Sequence, residues 1–187
     1  MPYQIPYSEW TVRWWKWIYS IPKDMNPINE SASVQCNSNQ HDPAVLFLAG
    51  GKNGIVEREC NVAVGKAILL PVLNWSGTFA DEPKAQSEED LVSIAKQEID
   101  IVSGLEAQVD GVQLENLHGS RVRTGLFDVV LPENSIFGGE AGSTQGISDG
   151  YWLFLRPLSL GRHLVHSYGS CQIGRVRISV RYILNVS

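Results

Sequence analysis

The side chains able to do chemistry are few and scattered. His163 and His166, in "HLVH", are the nearest pair of histidines and invite a metal-binding reading. On a strand, positions i and i+3 point to opposite faces, so these two cannot chelate one ion unless the strand bulges. His41 and His118 fall in predicted loops, and no spacing ties them to either one. Glu57 and Glu59 share a strand face with Cβ atoms about 7 Å apart, a separation an acid/base pair on a glycosidic bond can use. Glutamates so placed more commonly serve solubility or cross-strand pairing, and that reading leads. Arg175, Arg177 and Arg181 form a basic stripe on the last strand, opposite Val176, Ile178, Val180, Tyr182 and Leu184. The stripe suits sulfated or carboxylated sugars; charge pairing with Glu57 and Glu59 is the leading alternative.

Several chemistries find no motif. The Gly-rich stretch 135–150 has no Lys or Ser/Thr at the spacing of a phosphate loop, and no strand–GxGxxG–helix unit occurs, so no nucleotide cofactor is expected. There is no GxSxG elbow, although a Ser-His-Asp triad assembled from distant positions stays open. Three cysteines, Cys36, Cys60 and Cys171, include no CxxC pair, and no histidine stands at zinc-finger spacing, so no metal site is expected. Cys36 and Cys60 flank one predicted strand. Composition leaves both a bridge between them and three reduced thiols open, with Cys171 left over in either case.

The elements that must position these groups begin with "SEWTVRWWKWIYSIPKDMNP" (8–27), which holds four of the six tryptophans. The spacing predicts a helix over 8–21, capped by Ser8 and stopped by Pro22. Trp10, Trp14, Trp17, Ile18 and Ile21 fall on one stripe, and Val12, Trp15 and Tyr19 on a second. A helix apolar on two sides is expected to be sandwiched, with Arg13, Lys16 and Ser20 wet. Each indole buries about 200 Å², so a ridge pressed into a core is the leading reading. An aromatic ligand platform and a membrane-surface anchor are the alternatives. The anchor is the weaker of the two because the helix carries only Arg13 and Lys16 as basic residues.

A polar loop follows to Pro43. Then come short apolar runs, "AVLFLAGG" (44–51), "GIVEREC" (54–60) and "GKAILLPVLN" (65–74), the first two joined by a predicted hairpin turn at 50–54. In the second run Val56, Arg58, Cys60 and Val62 face one way, and Glu57, Glu59 and Asn61 the other. Ser87, followed by Glu88, Glu89 and Asp90, starts a helix over 88–103 that ends at Gly104. Its buried stripe is Leu91, Val92, Ala95, Ile99 and Val102. Asp110-Gly111 marks a hairpin, and further strands are predicted at 121–132, 150–158, 162–169 and 174–186, with a Gly-rich loop at 135–150.

These elements predict a single domain over 1–187: an antiparallel β-sandwich or jelly roll over 44–186, with two helices packed on it. The 187 residues, 43% hydrophobic and 19% charged, suffice for a core without metals. A net charge of −5 gives no basic footprint, so no nucleic-acid partner is expected. No apolar run has the length of a membrane span. The N-terminus shows no signal-peptide pattern, because Arg13 and Lys16 interrupt the apolar residues.

Three stretches, "WWKWIYSIPKDMNP" (14–27), "VLFLAGGKNGIVERECNVAVGKAILLPVLN" (45–74) and "SDGYWLFLRPLSLGRHLVHSYGS" (148–170), resemble a group of uncharacterised archaeal and bacterial proteins without an established activity. Members look exported, with paired cysteines at the positions of Cys36 and Cys60. The resemblance implies that bridge here, and an extracellular or cell-envelope location with it. The polar positions within the shared stretches, Asn26, Asn74, Asp149 and His166, are candidate binding residues, joined by Arg177 from the basic stripe. Their alternative roles are shaping turns (Asn26, Asp149), ending a strand (Asn74) and filling a core (His166).

The leading functional expectation is a non-catalytic module binding a glycan or a protein. A polysaccharide hydrolase or lyase built on Glu57, Glu59, His166 and the arginines is second. A structural subunit that assembles with copies of itself through the Trp-rich helix is third.

Overall fold

The structure is a computed structural model; it describes residues 4–29, 36, 38–52, 54–171 and 176–187. Arg175, the 30–35 part of the predicted polar loop and Asn53 of the predicted turn lie outside the described residues. Helix α1 spans Tyr7–Tyr19 and α2 Glu88–Ile99. The strands are β1 (Val45–Phe47), β2 (Gly54–Val62), β3 (Ala67–Thr78), β4 (Val102–Val109), β5 (Val112–Gln113), β6 (Arg121–Arg123), β7 (Phe127–Leu131), β8 (Gly142–Leu155), β9 (Gly161–Cys171) and β10 (Arg177–Val186).

They form two packed five-stranded sheets. The inner sheet runs β1-β3-β8-β6, with β7 also on β8, and the outer sheet runs β2-β10-β9-β4-β5. The predicted mainly-β sandwich with two helices is what the chain builds. The sheets are mixed rather than wholly antiparallel, because β1 lies parallel to β3 and β2 parallel to β10. The expected hairpin at 50–54 is therefore a crossover: β1 ends in the inner sheet and β2 starts in the outer one.

The inner sheet is covered on both faces. Val45, Phe47, Ala67, Leu69 and Trp152 pack under α1, while Leu46, Leu48, Ile68, Leu70, Tyr151 and Leu153 pack against the outer sheet. Strands dry on both sides read as continuous apolar runs, which is why "AVLFL" and "AILLPVL" lack alternation. Beyond the outer sheet's reach, α2 takes over that second face, with Leu91 and Ala95 against Ile147.

α1 is the predicted ridge. Trp10, Trp14, Trp15 and Trp17 are 2%, 0%, 3% and 7% exposed, which leaves neither a solvent-facing platform nor an apolar patch at Trp15. Its ends differ from expectation. Pro6, not Ser8, occupies the N-cap position, since its locked φ precedes a helix without strain. The helix stops at Tyr19, and the Asn26 carboxamide donates to the freed carbonyls of Ile18 (2.8 Å) and Ile21 (3.0 Å).

α2 begins as predicted, with a reciprocal capping box between Ser87 and Asp90. It ends earlier, at Ile99, and Gly104 lies inside β4 rather than at a cap. A Cβ at Gly104 would stand 2.6 Å from Ser170 Oγ on β9, so the glycine serves close strand packing. The predicted loop 135–150 fails for the same reason. Gly142–Leu155 is one 14-residue strand, and Cβ atoms at Gly146 and Gly150 would stand 2.6 Å from Gly77 O and 2.4 Å from Asn74 Cβ. The Asp110-Gly111 turn does form, with φ of 52° and 80° at the two residues, and pairs Val109 with Val112.

Candidate functional site

Among the described residues β1 pairs only with Ala67–Leu69 of β3, and no described strand covers the far half of β3 on that side. A register irregularity between Pro71 and Leu73 reverses the alternation there, the usual effect of a bulge. Val72 and Leu73 both lie against Gly169 of the outer sheet. Trp75 consequently joins the clusters beneath the inner sheet, and Asn74 turns the other way.

At this open edge is a cavity of about 200 Å³. Trp15 and Phe137 line it from the α1 side, Ile178 and Cys171 from the outer sheet, Glu98 and Ile99 from the end of α2, and Asn74 and Trp75 from β3, with Lys52 also on its wall. The walls are mostly apolar, and two of the residues that line them each hold a donor that solvent does not reach. Trp15 Nε1 and Asn74 Nδ2 have no hydrogen-bond partner among the described residues. Buried polar groups without partners are uncommon and each withholds a substantial desolvation penalty. Cys171 is a buried free thiol, whose pKa is pushed up by burial first and by the neighbouring Glu98 second. It is a neutral thiol at physiological pH rather than a nucleophilic thiolate.

Three anchors set the cavity walls. Asn26, fully buried, also accepts from Ile28 N (3.1 Å) and thereby places Ile28 on the wall. Arg58 points inward, where its guanidinium donates to Ala49 O (3.1 Å), Gly50 O (2.9 Å), Tyr182 Oη (2.8 Å) and Pro27 O. Tyr182 Oη donates in turn to Ala49 O at 2.8 Å. This fan ties segments 26–28 and 49–51 to the outer sheet. Asp149, 0% exposed, takes a bidentate grip from Arg121 (2.9 and 2.8 Å). Arg121 also reaches Asp100 at 2.7 Å, which fastens the end of α2 where Glu98 and Ile99 line the cavity.

Of the predicted residues, then, Asn74 lines the cavity, while Asn26 and Asp149 support its walls from a distance. His166 and Arg177 lie elsewhere. His166 is on the outer sheet's wet face, its Nε2 2.9 Å from Ser179 Oγ, and Arg177 is exposed at the start of β10. The glutamates occupy that same wet face. Glu57 pairs with Arg181 (3.3 Å) and Glu59 accepts from Asn185 (2.8 Å), the cross-strand pairing of the leading reading. Trp15, Trp75, Lys52 and Arg58 were missed as a group. Arg58 alone carried a signal, being a charge on the apolar parity of Val56, Cys60 and Val62.

One arrangement has the outline of a triad. His163 Nδ1 is 2.7 Å from Asp110 Oδ2, and its Nε2 is 3.3 Å from Ser159 Oγ. The same Nε2 lies 2.9 Å from the carbonyl oxygen of Ser159, a pure acceptor. Both ring nitrogens thus face acceptors, an arrangement that favours the doubly protonated ring over one free to take a proton from the serine. Both contacts raise the His163 pKa, that with Asp110 most. The trio ties the β4–β5 hairpin to the start of β9. His163 and His166 face opposite sides of β9, paired with Leu184 and Arg181 respectively.

Cys36 and Cys60 form a disulfide, with Cα atoms 5.7 Å apart. Among the described residues no helix is long and apolar enough to cross a membrane.

No protein-family model matches this chain, and no curated protein matches it. Two solved structures align with it. "Solution Structure of Amebosin" is 11% identical with a TM-score of 0.24 and covers 78% of this chain and 100% of that one. "Structure of PbICP-C in complex with falcipain-2" is 7% identical with a TM-score of 0.29 and covers 77% and 99%. Likenesses this slight carry no argument about fold or function.

Proposed function

We propose that this protein is a non-catalytic ligand-binding β-sandwich that works outside the cytoplasm and takes its ligand at the open edge of β3. The observation that carries this reading is the mostly apolar cavity itself, with Asn74, Lys52 and Glu98 as its few polar side chains. Pockets of this make-up, apolar with a few convergent polar groups, are the usual form of small-ligand sites. At about 200 Å³ the cavity suits a small molecule or the tip of a larger glycan or protein ligand. The Cys36–Cys60 bridge supports the location, since disulfides persist in oxidising compartments.

The test is a thermal-shift and ligand-observed NMR screen with small acceptor-bearing compounds and monosaccharides, run on the wild type and Asn74→Leu. Binding that raises the unfolding midpoint of the wild type, and is weakened in Asn74→Leu, supports the reading. Turnover of a screened compound overturns the non-catalytic part, and hits that ignore Asn74→Leu overturn the site. The location is checked by alkylation-trapped mass spectrometry on protein from its native cells. A reduced Cys36 and Cys60 there would sink it.

A further inference from the structure

The inner sheet leaves main-chain groups of β3 unpaired where the cavity lies. Leu69 O accepts from Leu48 N at 2.9 Å, the last backbone bond from the β1 segment to β3 among the described residues. On the other side of β3, Phe79 N donates to Gln145 O at 3.0 Å, and in an antiparallel ladder alternate residues face the partner strand. Counting back from Phe79 along the register with β8, Gly77 and Trp75 face β8. Asn74 and Ser76 therefore turn their N–H and C=O groups to the open edge. Among the described residues no hydrogen bond reaches those groups. The open stretch ends at Thr78, whose N–H and C=O are taken by Asp81 and Glu82. Asn74, Trp75 and Ser76 are half-buried, while β3 is buried on either side of them. The cavity beside this edge is walled as a strand is: Trp15 and Phe137 close it on the α1 side, and Ile99 and Ile178 on the outer-sheet side. The same two layers enclose β3.

We infer that the ligand is an extended apolar segment of a partner protein, which adds to β3 as one more strand of the inner sheet. The inference rests on the binding reading above and deepens it. Alternating N–H and C=O groups on an edge are matched by a second main chain, which a sugar or a small apolar molecule does not bring. Both walls are dry, so the segment is a continuous apolar run rather than an alternating one. Lys52 and Glu98, of opposite charge on the same wall, give neither sign of charged side chain an advantage to offset its desolvation. At about 3.3 Å per residue, roughly five residues span the edge from Val72 to Ser76. A second copy of this chain is the wrong occupant. Its continuous apolar runs, 45–48 and 67–73, are already buried in its own inner sheet, and its β3 edge is recessed between two layers.

The probe is the pentapeptide acetyl-Ser-Val-Ile-Val-Ser-amide, titrated into the full chain and followed by NMR shift changes and residue-resolved amide hydrogen exchange. In the free protein the Asn74 and Ser76 amides should exchange fast, and those of Trp75 and Gly77, bonded to β8, slowly. Saturating peptide should slow Asn74 and Ser76 by at least about tenfold and leave the other two as they were. A fully N-methylated analogue keeps the side chains but has no N–H to donate, and should bind at least about tenfold more weakly. An analogue with lysine in place of the isoleucine should lose about as much. Ile178→Lys, at a half-buried side chain of the wall, should weaken the peptide by a similar factor while the exchange pattern of the free protein is kept.

Fast exchange at Asn74 and Ser76 that bound peptide leaves unchanged would overturn the inference. So would slow exchange there in the free protein, because the edge would then already be paired. An N-methylated analogue that binds as tightly would mean pocket filling without strand addition; it would overturn the inference and leave the binding module standing. Protection of both amides that rises with protein concentration alone, alongside a dimer in ultracentrifugation, would make the occupant a second copy and overturn the partner. If no peptide binds, the inference fails, and hits in the small-molecule screen would decide the binding reading separately.

Discussion

β3 and β10 are long strands of similar length in the two sheets, and they are buried in different ways. From Ala67 to Leu73 every residue of β3 is buried, whereas β10 alternates, with Val180, Tyr182, Leu184 and Val186 covered and Arg177 and Arg181 exposed. The difference is one of layers. β3 is pressed between α1 and the outer sheet, while β10 has water on one side. The dry stretch Ala67–Leu73 carries no charged side chain, whereas a strand with a wet face can carry the Arg181–Glu57 pair at little risk. Stability should therefore be concentrated around the inner sheet, and the outer face should tolerate change.

The largest expected effect is at Trp14, which is 0% exposed, meets Trp15, Trp17 and Trp152 edge to face and donates to Leu48 O at 2.9 Å. Trp14→Ala should cost about 3–5 kcal/mol in urea unfolding. Leu164→Ala on the wet face, where the side chain is 40% exposed, should stay within about 0.5 kcal/mol. Equal losses at the two positions would dissolve the contrast.

Next is the bridge. Replacing both Cys36 and Cys60 by serine reopens a loop with a sequence separation of 24 and should lower stability by roughly 3–4 kcal/mol. The double variant avoids leaving one reactive thiol behind.

Arg58→Met comes third. It strands the carbonyl oxygens of Gly50 and Pro27 that the guanidinium now satisfies, at about 1–3 kcal/mol, and should weaken ligand binding as the cavity wall loosens. An Arg58 that proved silent in both measurements would mean the fan positions nothing.

The His163–Asp110 contact should add a smaller, pH-shaped effect. His163 has a raised folded-state pKa, chiefly from Asp110, so its contribution is complete below about pH 6.5 and is lost as pH rises through the raised value. Asp110 has a lowered pKa, chiefly from His163; its contribution is complete above about pH 4 and is lost as pH falls through the lower value. The unfolding-midpoint difference between wild type and His163→Gln should thus peak near pH 5–6 and shrink on either side. A flat difference would mean the ring is neutral, which would reopen the triad.

The smallest effect is expected at Arg181→Ala. Its partner Glu57 and Arg181 itself are each more than half exposed, and such pairs contribute about 0.2–1 kcal/mol, less in high salt.

Much of the architecture was legible from the chain. The Trp spacing of α1, the Ser87 cap, the Asp110-Gly111 turn and the opposed faces of "HLVH" are local rules, each satisfied within one element. Glycine misled most. Gly104 reads as a cap and Gly146 and Gly150 read as loop residues, because nothing local distinguishes a glycine that bends the chain from one that lets a neighbouring strand approach. The parallel pairings of β1 and β2 were hidden for a related reason, since pairing direction depends on where the chain returns. Among the candidate site residues, Asn26, Asn74 and Asp149 came from shared motifs rather than from any visible chemistry. Their link to one cavity runs through α1, the β3 bulge and the end of α2.

Periodicity and local hydrogen bonding were therefore enough to determine both helices, many of the strands and many of the inward-turning side chains, because those preferences act within a few residues. The cavity exists because β1 stops while β3 continues, because the irregularity after Pro71 turns Asn74 toward α1, and because Arg58 and Arg121 fasten distant segments. These depend on contacts between residues far apart in the chain, and such contacts have no energy until the layers have packed.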